Sequence, residues 1–193
     1  FSYIILLLGK SVFWVRFFPA LFGALTILIV WKTTELLGGN LFALILSATA
    51  ILLSALLRLN LLYQPNSIDV LCWALFYYCL IQFIYSNKDK WLLIAAVVFA
   101  FGFLNKYNVL FMAMGLFPAL LITKQRKIFA GKHLYYAAGL ALLLVLPNLV
   151  WQYQNDFPVI YHMQLLTETQ LNNSSRTDFI KEQLIYYLGA FYV

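Results

Sequence analysis

Apolar residues fall into six long blocks along the chain, Phe17–Leu37, Leu41–Leu57, Ile68–Tyr85, Trp91–Leu104, Val109–Thr123 and Leu134–Trp151. None alternates apolar with polar residues as a barrel strand does. The few polar side chains within them leave the backbone to satisfy its own hydrogen bonds, so each block predicts a helix in lipid. The pattern therefore predicts an all-α, polytopic transmembrane helical bundle. The gaps divide into two kinds. Gly38–Asn40, Ser86–Lys90 and Lys124–His133 are connectors, the last two basic, whereas the alternate gaps carry aromatic, amide and isolated charged residues.

Composition identifies the solvent. The chain is 64% hydrophobic and 10% charged, with a mean hydropathy of +0.84, where about a quarter of the residues of a soluble domain are charged. The formal charge of +6 comes from residues placed mainly in turns between apolar blocks, so membrane lipid headgroups are the expected partner and nucleic acid is not. Cys72 and Cys79 lie about two turns apart on one predicted helix, too far for a disulfide, and read as small buried apolar residues. The chain starts at Phe1 and stops inside the apolar run Leu184–Val193, so it reads as a piece of a longer protein, and no secretory signal is visible.

Charge sets an expected orientation. Lys124, Arg126, Lys127 and Lys132 occupy one turn without an acid, which predicts a cytoplasmic position. Alternation then sends Phe1–Arg16, Leu59–Ser67, Asn105–Asn108 and the long connection Gln152–Asp178 to the opposite side. Ile160, Tyr161, Met163, Leu165 and Leu166 predict a short surface helix in that connection. Asn172 and Asn173 begin overlapping N-glycosylation acceptor patterns, which matter only in a secretory-pathway host.

The outer gaps hold the residues able to do chemistry. Lys106 stands in Leu104-Asn105-Lys106-Tyr107-Asn108 between short apolar blocks, where it can meet a lipid-linked phosphate together with backbone N–H groups, or snorkel and offset a helix C-terminal dipole. Pro65-Asn66-Ser67-Ile68-Asp69 reads as a helix start with Ser67 as N-cap. Asp69 can serve there as a dipole-compensating first-turn acid, or hydrogen-bond sugar hydroxyls or orient Arg58. Arg58 and Arg16 suit either phosphate or lipid headgroups. Tyr63, Tyr107 and other aromatics are interfacial belt residues or substrate contacts, and Gln152 lies at the head of the long polar connection. His162 has no second His or Cys at ligand spacing, so these residues support no metal site and cofactor use stays open.

Taken in order, Trp14-Val15-Arg16-Phe17-Phe18-Pro19-Ala20-Leu21-Phe22-Gly23, Tyr63-Gln64-Pro65-Asn66-Ser67-Ile68-Asp69 and Gly102-Phe103-Leu104-Asn105-Lys106-Tyr107 resemble the polyprenyl-phosphate-dependent glycosyltransferases of family 39, which include the protein O-mannosyltransferases and lipid A aminoarabinose transferases. Pro147-Asn148-Leu149-Val150-Trp151-Gln152, Phe157-Pro158 and His162-Met163 are similar to its bacterial branch. The resemblance implies a type C glycosyltransferase fold in a bacterial inner membrane, with an active site facing away from the cytoplasm. It also implies a polyprenyl-phosphate-linked sugar as donor and a lipid, glycan or protein acceptor. In that family an acidic residue of the first outer loop acts at the acceptor. That loop would lie at or before Phe1, so Phe1–Val193 is expected to be a partial domain, inactive alone, with no catalytic residue assigned within it. Lys106, Arg58, Asp69, Tyr63, Asn105, Tyr107, Gln152 and His162 are the expected substrate contacts. The sequence departs from many relatives at Asn66, where they carry an acid, and lacks the soluble C-terminal portion of some members. A secondary transporter and a noncatalytic polyprenyl-lipid-binding protein are the alternatives. The near absence of charges from helix centres argues against the first.

Overall fold

The computed structural model describes residues 11–182 and 185, apart from 55, 63, 170–174 and 176. Tyr63, the Asn172–Asn173 pattern and, apart from Ile185, the run Leu184–Val193 lie outside the described residues. Helix α1, Val12–Leu36, begins at Ser11, whose hydroxyl accepts from the Phe13 amide at 3.2 Å. It ends where Gly38 turns the chain with φ +84°, a conformation that favours glycine. Asn40 caps α2, Leu41–Leu53, by accepting from the Ala43 amide at 3.0 Å.

The block read as Leu41–Leu57 is broken, and this corrects the expectation of one continuous helix. Ser54 is extended (φ −79°, ψ 169°), its hydroxyl donates to Ile51 O at 2.7 Å and its Oγ accepts from the Leu56 amide at 3.3 Å. One serine thus closes α2 and opens the short α3, Leu56–Leu59; hydropathy alone misses such a local competitor for backbone bonds. Four helices follow: α4, Asn66–Ser86; α5, Lys90–Asn105; α6, Val109–Ile122; and α7, Lys132–Gln154. A 3-10 helix, Lys124–Ala130, joins the last two, bent 108° from α6. Helix α8, Pro158–Thr169, is the expected surface helix, with Ile160, Tyr161, Met163 and Leu165 exposed.

Helix α5 is the centre of the bundle. It packs against α4 and α7, while α1 packs against α4 and α2. Leu92, Ala96, Ala100 and Phe103 form one buried stripe at helical spacing, and Ala95 and Gly102 a second. Small residues let neighbouring backbones approach closely, the usual packing device where lipid gives no hydrophobic drive between helices. A Cβ added to Gly102 would lie 3.3 Å from Val109 Cγ2 and 3.4 Å from Cys72 Cβ, so α4, α5 and α6 meet there. Outward-facing apolar residues such as Leu28, Leu142, Leu143 and Ile122 are exposed, as a bilayer-facing surface requires.

The chain is an all-helical polytopic membrane protein, and no strand occurs among the described residues. By length and hydropathy α1, α4 and α7 can each cross a bilayer. The six apolar blocks are therefore not six equal crossings. Helix α5 has 16 residues and rises about 24 Å, less than the roughly 30 Å hydrocarbon core. The turn that follows it bonds to the last two turns of α7, at Asn148 and Gln152.

Candidate functional site

Helix α5 stops because Lys106 adopts an extended conformation (φ −160°, ψ 128°), with its amide still bonded to Gly102 O at 2.8 Å. Helix α6 restarts three residues later. The four residues of this turn reach out in two directions.

Three of them bond to the first turn of α4. Asn105 Nδ2 donates to Pro65 O at 2.9 Å, Lys106 Nζ to Asn66 Oδ1 at 3.0 Å and Asn108 Nδ2 to Asp69 Oδ2 at 2.7 Å. Tyr107 turns the other way. Its ring packs edge-on to Phe103 with centroids 4.8 Å apart, and its hydroxyl donates to Asn148 Oδ1 at 2.9 Å while accepting from Gln152 Nε2 at 2.8 Å. Gln152 continues the path into α8: its Oε1 accepts from the Val159 amide at 3.4 Å, and its carbonyl accepts from the Phe157 amide at 2.8 Å. Asp156 and Phe157 make that sharp entry with φ of +57° and +52°, the left-handed region that costs a residue other than glycine about 1–2 kcal/mol.

One turn therefore gathers Asn105, Lys106, Tyr107, Asp69 and Gln152, five of the residues expected to touch substrate. It does not gather Arg58 or His162. Arg58 is exposed on α3 and makes no ion pair with Asp69, so of the alternatives for Asp69 the orienting of Arg58 is not seen; Asn108 donates to its Oδ2. His162 is exposed on α8 and is not among the residues bonded to the cluster. Ser67 is not the N-cap. It lies inside α4 at 2% exposure, and its hydroxyl donates to Leu59 O at 3.1 Å, tying α3 to α4.

Asn66, Asn108 and Asn148 are the partners that sequence reasoning missed. Asn148 had a readable signal, since it stands four residues before Gln152 within an apolar helix, on the same face. A polar residue at such a depth is by default structural glue or function. Asn66 and Asn108 carried no signal beyond their place in polar gaps, because their roles depend on a contact between distant parts of the chain.

Electrostatically the site mixes one cation with one buried acid. Lys106 is exposed and its partner Asn66 is neutral, so its charge is not cancelled by that bond. The first amides of α4, which a helix leaves without intrahelical acceptors, lie beside the same asparagine. Asp69 is 7% exposed; its Oδ1, together with Asn108 Oδ1 and Trp73 Nε1, is buried with no hydrogen-bond partner among the described residues. Unpaired buried polar atoms cost about 1–3 kcal/mol each. No group of three or more His, Cys, Asp or Glu side chains gathers among the described residues.

The sequence model of a family described as dolichyl-phosphate-mannose-protein mannosyltransferases matches residues 1–151. The match contains Asp69, the 105–108 turn and Asn148, and stops just before Gln152. No curated protein and no solved structure matches the chain.

The bridge from Tyr107 to Gln152 is testable as a coupled pair. In a double-mutant cycle of thermal unfolding, Tyr107→Phe and Gln152→Leu should be non-additive by about 0.5–1.5 kcal/mol. Tyr107→Phe combined with Tyr161→Phe on the exposed face of α8 should be additive. Additivity in the first cycle would show that the bond does not join the turn to α7.

Proposed function

This chain belongs to the dolichyl-phosphate-mannose-protein mannosyltransferase family, a family of membrane glycosyltransferases, and from that premise we propose that it moves a sugar from a polyprenyl-phosphate donor to an acceptor on the non-cytoplasmic side. The observation that carries the reading is Lys106. Its ammonium is held by a neutral amide at the N-terminus of α4, at the end of a helix shorter than the bilayer core. This is where the phosphate of a lipid-linked sugar, with its chain in the membrane, would reside.

The chemistry follows from the donor. The bond between the sugar's anomeric carbon and the phosphate oxygen breaks, its electron pair stays on the phosphate, and the acceptor nucleophile takes the anomeric carbon while its proton passes to the carboxylate expected in the first outer loop. The developing phosphate charge is what the protein must stabilise. Lys106 supplies a full positive charge, and the first turn of α4 supplies backbone N–H groups and the positive end of its dipole. Asp69 and Asn108, bonded to each other, hold the turn against α4. Asn105 and Tyr107 act through position, since their bonds to Pro65 and Asn148 fix the turn carrying the lysine. Holding donor and acceptor in reacting geometry supplies much of the rate enhancement in such transfers.

The proposed sidedness rests on charge. Lys124, Arg126, Lys127 and Lys132 lie at the end of the bundle away from this cluster, and the positive-inside tendency assigns that end to the cytoplasm. Single cysteines at Ala130 and Asn155, in a background lacking Cys72 and Cys79, should differ in intact cells. A membrane-impermeant thiol reagent should label Asn155→Cys and spare Ala130→Cys, and the reverse pattern would overturn the orientation.

In the full-length enzyme, Lys106→Ala should lower transfer from a labelled polyprenyl-phosphate sugar by about 10²–10³-fold, the range seen when one charge-stabilising group is removed. Lys88→Ala, at the other end of the bundle, should leave transfer unchanged. Lys106→Arg should restore part of the activity, with the remainder lost to the different shape of the guanidinium. Wild-type transfer by Lys106→Ala would end the phosphate role.

A further inference from the structure

At the end of the bundle opposite the polar cluster, α4, α6 and the 3-10 helix enclose an apolar cavity of about 120 Å³. Ile81 and Ile84 come from α4, Leu116 and Leu120 from α6, and Gln125 and Ile128 from the 3-10 helix. The 108° bend after Ile122 creates this space, because the chain leaves the direction of α6 and runs across the end of the bundle. Thr123 makes the bend in an extended conformation, its hydroxyl donating to Leu120 O at 3.2 Å.

The 3-10 helix repeats every three residues, which sorts its side chains into columns. Gln125 and Ile128 share the column facing the cavity. Lys124 and Lys127 share the next and are exposed. Arg126 is exposed on the third, where Phe129 packs edge-on to Phe117 with centroids 5.4 Å apart. The helix is held in place by Tyr135, whose hydroxyl donates to Phe129 O at 2.9 Å. Among the described residues, no carboxylate pairs with Lys124, Arg126, Lys127 or Lys132. Asp89, the acid of the neighbouring turn, lies 3.1 Å from His133 Nδ1.

Apolar space and uncompensated positive charge thus stand side by side on one short, fixed element. We infer that this end of the protein is a binding site for an anionic phospholipid, with an acyl chain entering the cavity between α4 and α6 and the headgroup phosphate against Lys124, Arg126 and Lys127. Both halves are needed. Basic residues alone attract any anionic surface with about 1 kcal/mol per charge, whereas the cavity fixes one lipid at one place. The site is separate from the proposed donor site and does not depend on the transferase reading.

The test uses the full-length protein in mild detergent, titrated with phosphatidylglycerol and with phosphatidylcholine of identical acyl chains, counting bound lipid by native mass spectrometry. The wild type should bind phosphatidylglycerol at least about tenfold more tightly. The triple variant Lys124→Gln/Arg126→Gln/Lys127→Gln should lower phosphatidylglycerol binding to the phosphatidylcholine level. Leu116→Trp, which fills the cavity and leaves every charge in place, should weaken both lipids. If its melting temperature shows misfolding, Leu120→Trp on the same wall replaces it. Inorganic phosphate should not displace the bound lipid. Equal binding of the two lipids, a preference that survives the triple variant, unchanged binding in the cavity-filled protein, or displacement by inorganic phosphate would each overturn the site.

Discussion

The hydrogen bonds of the Asn105–Asn108 turn are the interaction on which the working end of this bundle depends. In lipid a turn is costly unless its polar groups find protein partners. Here three side chains bond to the start of α4, and one bonds to α7 and through Gln152 to α8. Each bond is modest, roughly 0.6 kcal/mol on average for such pairs between membrane helices, but together they tie α5 and α6 to α4, α7 and α8.

The two ends of the bundle solve opposite electrostatic problems. At the polar end the N-termini of α4, α6 and α8 meet the C-termini of α5 and α7, so the dipole ends offset one another and the gathered side chains carry one full cation, Lys106, against one buried acid, Asp69. An anion there meets the exposed Lys106. At the other end, full charges sit in solvent-facing turns and the 3-10 helix, where hydration costs them little and anionic headgroups attract them. The apolar packing between these ends, from Leu80 and Ala137 through Ala96 and Ala100 to Phe103, Met112 and Val145, separates the two environments.

Much of the fold was legible because hydropathy in a membrane protein reports directly on its solvent. Blocks such as Ile68–Tyr85 and Leu134–Trp151 became α4 and α7 with their bounds shifted by a few residues. The break at Ser54 was not legible, since one hydroxyl competing for backbone bonds leaves the hydropathy unchanged. The basic turn Lys124–His133 was readable as a charged connector but not as a 3-10 helix bent across the bundle. At the site, Lys106, Asn105, Tyr107, Asp69 and Gln152 stood out as polar residues interrupting apolar runs, and the structure brings these five together. Arg58 and His162 stood out for the same reason and are not brought in. The difference lies in contacts spanning about forty residues of chain, such as Lys106 to Asn66 and Tyr107 to Asn148, which no local pattern encodes.

The central claim is that a polyprenyl phosphate is held between the first turn of α4 and the Asn105–Asn108 turn. Photo-crosslinking with a short polyprenyl phosphate bearing a diazirine beside the phosphate, followed by peptide mapping of the membrane-embedded protein, tests it most directly. The account predicts adducts on residues 64–69 and 105–108 that disappear in the presence of excess unlabelled polyprenyl phosphate. Competable adducts confined to residues 124–133, or spread evenly over the lipid-facing helices, would contradict it.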